Sequence, residues 1–293
     1  MKRAIRILRP ADLLNVLFLL LLSSLVVYYR DTISNAAYLI TLYSVLIMVQ
    51  LWLMRSIEEG ATRRLFHALI FPTVSIVLVF ESLEGIVHYI NPVDLDPWLI
   101  RMDYMLLGFY PTVELEKMMS PLLTDILQLA YASYYFIPLS LGVVLYREDT
   151  MDIFDKALFM IMLCFYLSYA GYLLFPALGP RYAMAHLQTR ELEGFVLSGS
   201  IQNLLNSLEG IKRDAFPSGH TGVALTSLYY AFRFQRRLFA VLVPLVAALV
   251  FSTVYCRYHY VIDVIGGVIL TLITIAIGEL LYGYYKQRIY PAG

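Results

Sequence analysis

The chain has 293 residues, of which 60% are hydrophobic and 15% charged, and its mean hydropathy is +0.69. A water-soluble domain cannot hide that much apolar surface, so the composition excludes a soluble enzyme or binding module and indicates an all-α polytopic membrane protein. The formal net charge of +0 gives no basis for nucleic-acid binding.

At about 20 mostly apolar residues per crossing, about eight transmembrane helices are predicted, over 12–29, 35–54, 65–90, 122–146, 157–176, 219–233, 238–257 and 261–285. No small-residue cleavage site follows the first apolar run, which is read as a retained span. The third span carries Glu81, Glu84 and His88 on one face near its far end. Ionisable groups inside a span usually face the bundle or a wet cavity, so these three are candidate headgroup contacts, with an interhelical polar network as the alternative. Asp125 and Gln128 on the fourth span are their candidate partners. The sixth span is short because Arg233 and Arg236 close it. Cys164 and Cys256 lie in apolar stretches and are expected to be free thiols packed as small apolar residues. His67 and His186 have no evident context.

With the N-terminus inside, the inner segments hold Lys2, Arg3, Arg6 and Arg9, then Arg55, Arg63 and Arg64, and later Arg233, Arg236 and Arg237. They outnumber the basic residues of the longer outer loops, which predicts both termini in the cytoplasm. The stretches after the fifth and seventh spans then face the periplasm or lumen. The first two helices (1–64) read as an addition to a six-helix catalytic core (65–293), all one membrane unit. Two outer stretches are expected to form interfacial amphipathic helices. One is 91–121, with Trp98; in the other, Ile201, Leu204, Leu205, Leu208 and Ile211 follow helical spacing. They either roof a site or anchor in lipid.

Three stretches carry chemistry, all on the predicted outer side. His259 and Asp263 are four apart at a helix start and share a face. A carboxylate there can accept from one imidazole nitrogen and leave the other's lone pair outward, which makes a better nucleophile. The same pair could simply tie two helices together. In Pro217-Ser218-Gly219-His220-Thr221 the proline ends a loop, Ser218 can cap, and Gly219 lets backbone approach a ligand. The helix that starts there offers free N–H groups to an anion, with His220 beside it as a general acid. In Phe175-Pro176-Ala177-Leu178-Gly179-Pro180-Arg181-Tyr182, a Pro-rich turn presents Arg181, whose guanidinium suits phosphate oxygens.

These stretches resemble the signature of the phosphatidic acid phosphatase type 2 superfamily of membrane phosphatases and phosphotransferases: a basic first motif, a Pro-Ser-Gly-His second and a His-x-x-x-Asp third. The resemblance covers about residues 65–285. It implies a phosphohistidine intermediate on His259, orientation of that ring by Asp263, and His220 as acid. It also implies phosphate binding by Arg181, Arg257, Ser218 and Gly219, with no cofactor and no metal. Two positions depart from the pattern: Leu174 stands where the first motif has Lys, and Thr253 where the third has Arg, with Arg257 two residues before the histidine instead. Lys212 or Arg213 are candidates for the missing charge. Residues 253–260 and the turn at 176–182 look closer to the inositol phosphorylceramide synthase branch.

The expected function is an integral membrane lipid phosphate phosphatase. The alternative is a lipid phosphotransferase that moves a phospho-headgroup to a lipid or polyol alcohol acceptor. A transporter or proton relay would use the same ionisable residues, but such folds often show paired repeats and none is evident here. The lipid tail, the headgroup and the oligomeric state are not legible in the sequence.

Overall fold

The computed structural model of the protein describes residues 9–55, 65–148, 150–195 and 212–289. Nine main helices account for most of them: α1 Pro10–Tyr28, α2 Ala36–Arg55, α3 Phe66–Ile90, α4 Asp96–Leu107, α5 Pro121–Arg147, α6 Met151–Leu174, α7 Gly219–Phe234, α8 Arg236–Tyr255 and α9 Val261–Ile289. No strand occurs among the described residues. Seven of these helices (α1–α3, α5, α6, α8 and α9) are long and apolar enough to cross a membrane. Large apolar side chains such as Leu17, Leu21, Trp52, Leu272 and Leu280 stand exposed on them. In water that surface would aggregate; against lipid it is the expected exterior.

The sixth predicted span, 219–233, is helical as α7, but its 16 residues extend about 24 Å, less than the hydrocarbon thickness of about 30 Å. It lies inside the bundle, packed on α5, α6, α8 and α9. Its face is made of small residues, Thr221, Gly222, Ala224, Thr226 and Ser227, which let neighbouring helices come close. α6 is the other central helix and packs against α1, α3, α5, α7 and α9. It starts at Met151, earlier than the apolar run suggests, because its polar first turns are paired: Asp155 with Arg9, and Lys156 with Glu279 of α9. Cys164 and Cys256 are free and buried.

Local signals set the helix ends. α1 begins at Pro10, with Asp12 closing a capping box onto Arg9. α5 begins at Pro121 beneath Ser120, whose hydroxyl accepts from the Leu123 N–H. A 3₁₀ turn at Ser133–Tyr135 interrupts α5. α4 ends at Gly108 in the left-handed region (φ 78°). One face of α4 buries Asp96, Leu99 and Asp103, and the other exposes Trp98, Met102, Met105 and Leu106. α4 falls within the 91–121 stretch; the other stretch, 201–211, lies outside the described residues.

At the end of the bundle where α1 begins, a buried polar network joins four helices. The Asp12 carboxylate takes Arg9 at 3.1 Å, His67 of α3 at 3.1 Å and Gln50 of α2 at 3.2 Å. Asn15 donates to Gln50 at 2.7 Å and accepts from Ser75 at 3.0 Å and from Tyr166 of α6. His67 thus acquires a context that its sequence neighbours do not suggest. Removing one member of a buried ionic network strands the others, which typically costs about 3–5 kcal/mol. Asp12→Ala is therefore expected to lower the melting temperature of the detergent-solubilised protein clearly. Asp12→Asn, which keeps an acceptor, should lower it less.

Candidate active site

The site is built where α7 and α9 begin, and the loops before them are laced together through the backbone. Ala215 N–H donates to Ala177 O at 3.1 Å, Ser218 N–H to Asp263 O at 3.0 Å, and Arg181 N–H to Arg257 O at 2.9 Å. All three motifs are thereby fixed to one another before any side chain is counted. Gly179 in the first motif sits at φ 83°, where a Cβ would come 2.5 Å from the Tyr258 carbonyl oxygen, so the turn requires glycine on two grounds.

Two histidines meet at the centre. His259 Nε2 lies 3.3 Å from His220 Nδ1, and both rings are buried. His259 Nδ1 is 2.8 Å from the Ala215 carbonyl oxygen, which can only accept, so Nδ1 carries the proton and Nε2 keeps its lone pair toward His220. Asp263 Oδ2 is farther from Nδ1, at 3.5 Å, and its nearer partner is the Tyr260 N–H at 2.8 Å. The nearest acceptor on the ring is thus a backbone carbonyl, and Asp263 backs it while closing the start of α9. Burial holds the His259 imidazole below the ordinary histidine value, although the Asp214 carboxylate and the Ala215 bond oppose this. His259 is accordingly neutral at physiological pH.

His220 is the first-turn residue of α7 beneath Ser218, whose hydroxyl accepts from Thr221 N–H at 3.3 Å. Two tyrosines of α5 flank its ring: Tyr131 stacks on it at 4.5 Å between centroids and Tyr134 lies at 4.2 Å. Tyr131 also stacks on Tyr258 at 4.1 Å, and the Arg181 guanidinium lies 5.4 Å from the Tyr258 ring centre. A continuous stack therefore links Arg181 to His220. At Gly219 a Cβ would collide with the Tyr172 hydroxyl, so in this structure the glycine admits a neighbouring helix of the bundle.

Arg257 occupies a different setting from the one expected. Its guanidinium pairs with Glu116 at 2.8 Å and donates to Arg190 O at 2.7 Å and Gln188 Oε1 at 3.2 Å. Its backbone lies in the left-handed region, at φ 66°. Burial would raise the Glu116 carboxyl, but bonds from Thr189 and the Arg257 charge overcome this and hold it below its ordinary value. Of the candidates for the missing charge, Arg213 pairs with Asp94 at 2.6 Å, while Lys212 donates its backbone N–H to Glu84 at 3.1 Å. Glu81 lines the cavity that ends at His220, whereas Glu84 and His88 are exposed. Asp125 and Gln128 face the 190s loop and Tyr258, with Asp125 accepting from the Phe195 N–H at 3.0 Å and Gln128 facing the Tyr258 hydroxyl.

Sequence reasoning missed the supports. Asp96 accepts from the Leu178 and Gly179 N–H groups at 2.8 and 2.9 Å and from the Tyr260 hydroxyl at 2.8 Å. Asp103 accepts from the Val261 and Ile262 N–H groups at 3.0 and 2.8 Å. The available signal was spacing: Asp96 and Asp103 are two helical turns apart on the face of α4 that also holds Leu99.

The sequence model described as the PAP2 superfamily matches residues 97–277, from the start of α4 into α9. A PA-phosphatase related-family protein of Dictyostelium discoideum is 27% identical over 194 residues, 57% of this chain and 33% of that protein, so the match spans about a third of the relative's length. No solved structure matches.

The depressed His259 value has a stability consequence. As pH falls below about 6.5, the unfolded chain binds a proton at residue 259 that the folded chain refuses, so stability falls toward acid. Thermal denaturation of the wild type from pH 7.5 to 5.5 is expected to show that decline. In His259→Gln the slope should be visibly shallower.

Proposed function

The chain belongs to the PAP2 superfamily, whose members hydrolyse or transfer phosphate esters, and on that premise we propose that it is a lipid phosphate phosphatase with a phosphohistidine intermediate on His259. The observation that carries the reading is the contact between the two buried imidazoles, with the outer nitrogen of His259 already held by a carbonyl. In the first step the Nε2 lone pair attacks phosphorus, the bond from phosphorus to the lipid oxygen breaks, and His220 gives that oxygen its proton. The lipid alcohol departs. In the second step His220, now neutral, takes a proton from water, and the hydroxide cleaves the N–P bond to release inorganic phosphate.

Arg181 and the N-terminus of α7 at Ser218-Gly219 stabilise the equatorial oxygens. We assign Arg257 to positioning: through Glu116 and the Arg190 carbonyl it holds the loop that follows Arg181. The mechanism uses no metal. The active site faces the periplasm or lumen, following the charge distribution of the loops. The alternative is transfer of the phosphoryl group to an alcohol, with the same first step. Glu81, which lines the same cavity as Asp214 and His220, favours it as a contact for an acceptor hydroxyl.

The test is phosphate release from phosphatidic acid in EDTA by the purified protein. His259→Ala should lose more than about 10³-fold and His220→Ala about 10²–10⁴-fold. On an aryl phosphate, whose leaving group needs no proton, His220→Ala should release one equivalent of phenol in a burst and then turn over slowly, because the second step still lacks its base. Full activity in His259→Ala would refute the mechanism, and a lipid phosphoester product formed only with added alcohol would select the transferase.

A further inference from the structure

A cavity of about 380 Å³ runs down the inside of the bundle from the catalytic histidines, within the size range of ligand sites. Its upper end is polar, with His220, Asp214, Tyr172 and Glu81. Its lower end is lined by Leu69, Gly142, Phe154 and Leu158, all apolar. On α6 the lining extends from Phe154 to Tyr172, about 27 Å of helix, and on α3 from Leu69 to Glu81, about 18 Å. Both lengths exceed half of a hydrocarbon core about 30 Å thick.

The cavity also has a side entrance. α3 and α5 pack against each other at the first turn of α3, where Leu69 meets Gly142. Above that turn the facing residues Thr73 and Val77 of α3 and Leu139 of α5 are exposed. A slot between two helices, open toward lipid and closed at its foot, admits a chain sideways without taking its polar end through hydrocarbon.

We propose that this cavity binds one hydrocarbon chain of the substrate lipid, entering between α3 and α5, and that the closed foot at Leu69, Gly142 and Phe154 sets the longest chain accepted. The assignment rests on the reading that the phosphoryl group sits at the two histidines, since the polar end of the cavity then receives the head and the apolar end the tail. The occupant follows from the gradient of the lining. Carboxylate and imidazole at one end and aliphatic groups at the other match an amphiphile, and the mainly apolar lining below them excludes a polar sugar or peptide on desolvation cost.

The first arm measures kcat/KM for octyl, dodecyl and hexadecyl phosphate. For the wild type it should rise with chain length. In Leu158→Trp, which fills the lower part, the hexadecyl-to-octyl ratio should fall at least about tenfold. Leu272→Trp, on an exposed face of α9, should leave that ratio unchanged. Equal loss for all chains in Leu158→Trp, or a flat wild-type series, would overturn the proposal. The second arm needs no turnover: hexadecyl phosphate with a terminal diazirine is photolysed on the protein in detergent. Crosslinks in peptides holding Leu69, Gly142 or Phe154–Leu158 support the chamber; crosslinks confined to outward faces or to the His220 end overturn it. If no alkyl phosphate is hydrolysed, the phosphatase reading fails, and the crosslink alone decides the chamber.

Discussion

The arrangement depends on two buried carboxylates of one amphipathic helix. Asp96 and Asp103 of α4 reach into the places where the first and third motifs leave backbone N–H groups without partners. A turn and a helix start both expose such donors, and leaving them unpaired in a dry site costs several kcal/mol. The same Asp96 holds the Tyr260 hydroxyl, one residue from His259. α4 is therefore more than a cover. Its inner face joins the arginine turn to the histidine helix, and its outer face of Trp98, Met102 and Met105 suits the lipid boundary.

What the sequence made legible follows from how local each signal is. Long apolar runs were readable one helix at a time, since a span needs nothing but length and hydropathy. The motif histidines were readable because their spacing places them at helix starts. The acceptor for His259 was not, because it is the backbone of Ala215, and a carbonyl has no residue-type signature. The setting of Arg257 was hidden for a related reason: nothing near it in sequence announces Glu116, which is distant in the chain. His67 shows the same limit at the other end of the bundle, where its partner Asp12 lies on a different helix.

The first two helices share one hydrophobic cluster with the rest, from Leu22 and Tyr43 through Leu83 to Leu249, and the Asp12 network crosses the same boundary. Apolar contact between helices discriminates little in lipid, where tails are as apolar as leucine. Hydrogen-bonded polar groups discriminate more, because a mispaired helix would leave them unsatisfied. Register among α1, α2, α3 and α6 is then set by a few side chains, namely Asp12, Asn15, Gln50, His67, Ser75 and Tyr166.

Residue 257 serves two opposed demands. Its backbone lies in a region that costs an L-residue about 1–2 kcal/mol and glycine almost nothing. Its side chain neutralises a buried carboxylate whose abandonment costs about 3–5 kcal/mol. The second sum is the larger, so an arginine is retained in a glycine's conformation, and the turn before His259 is held by charge against its own torsional preference. Such a turn is a latch: weaken Glu116 and the chain has a reason to relax, and the residue it would carry with it first is His259.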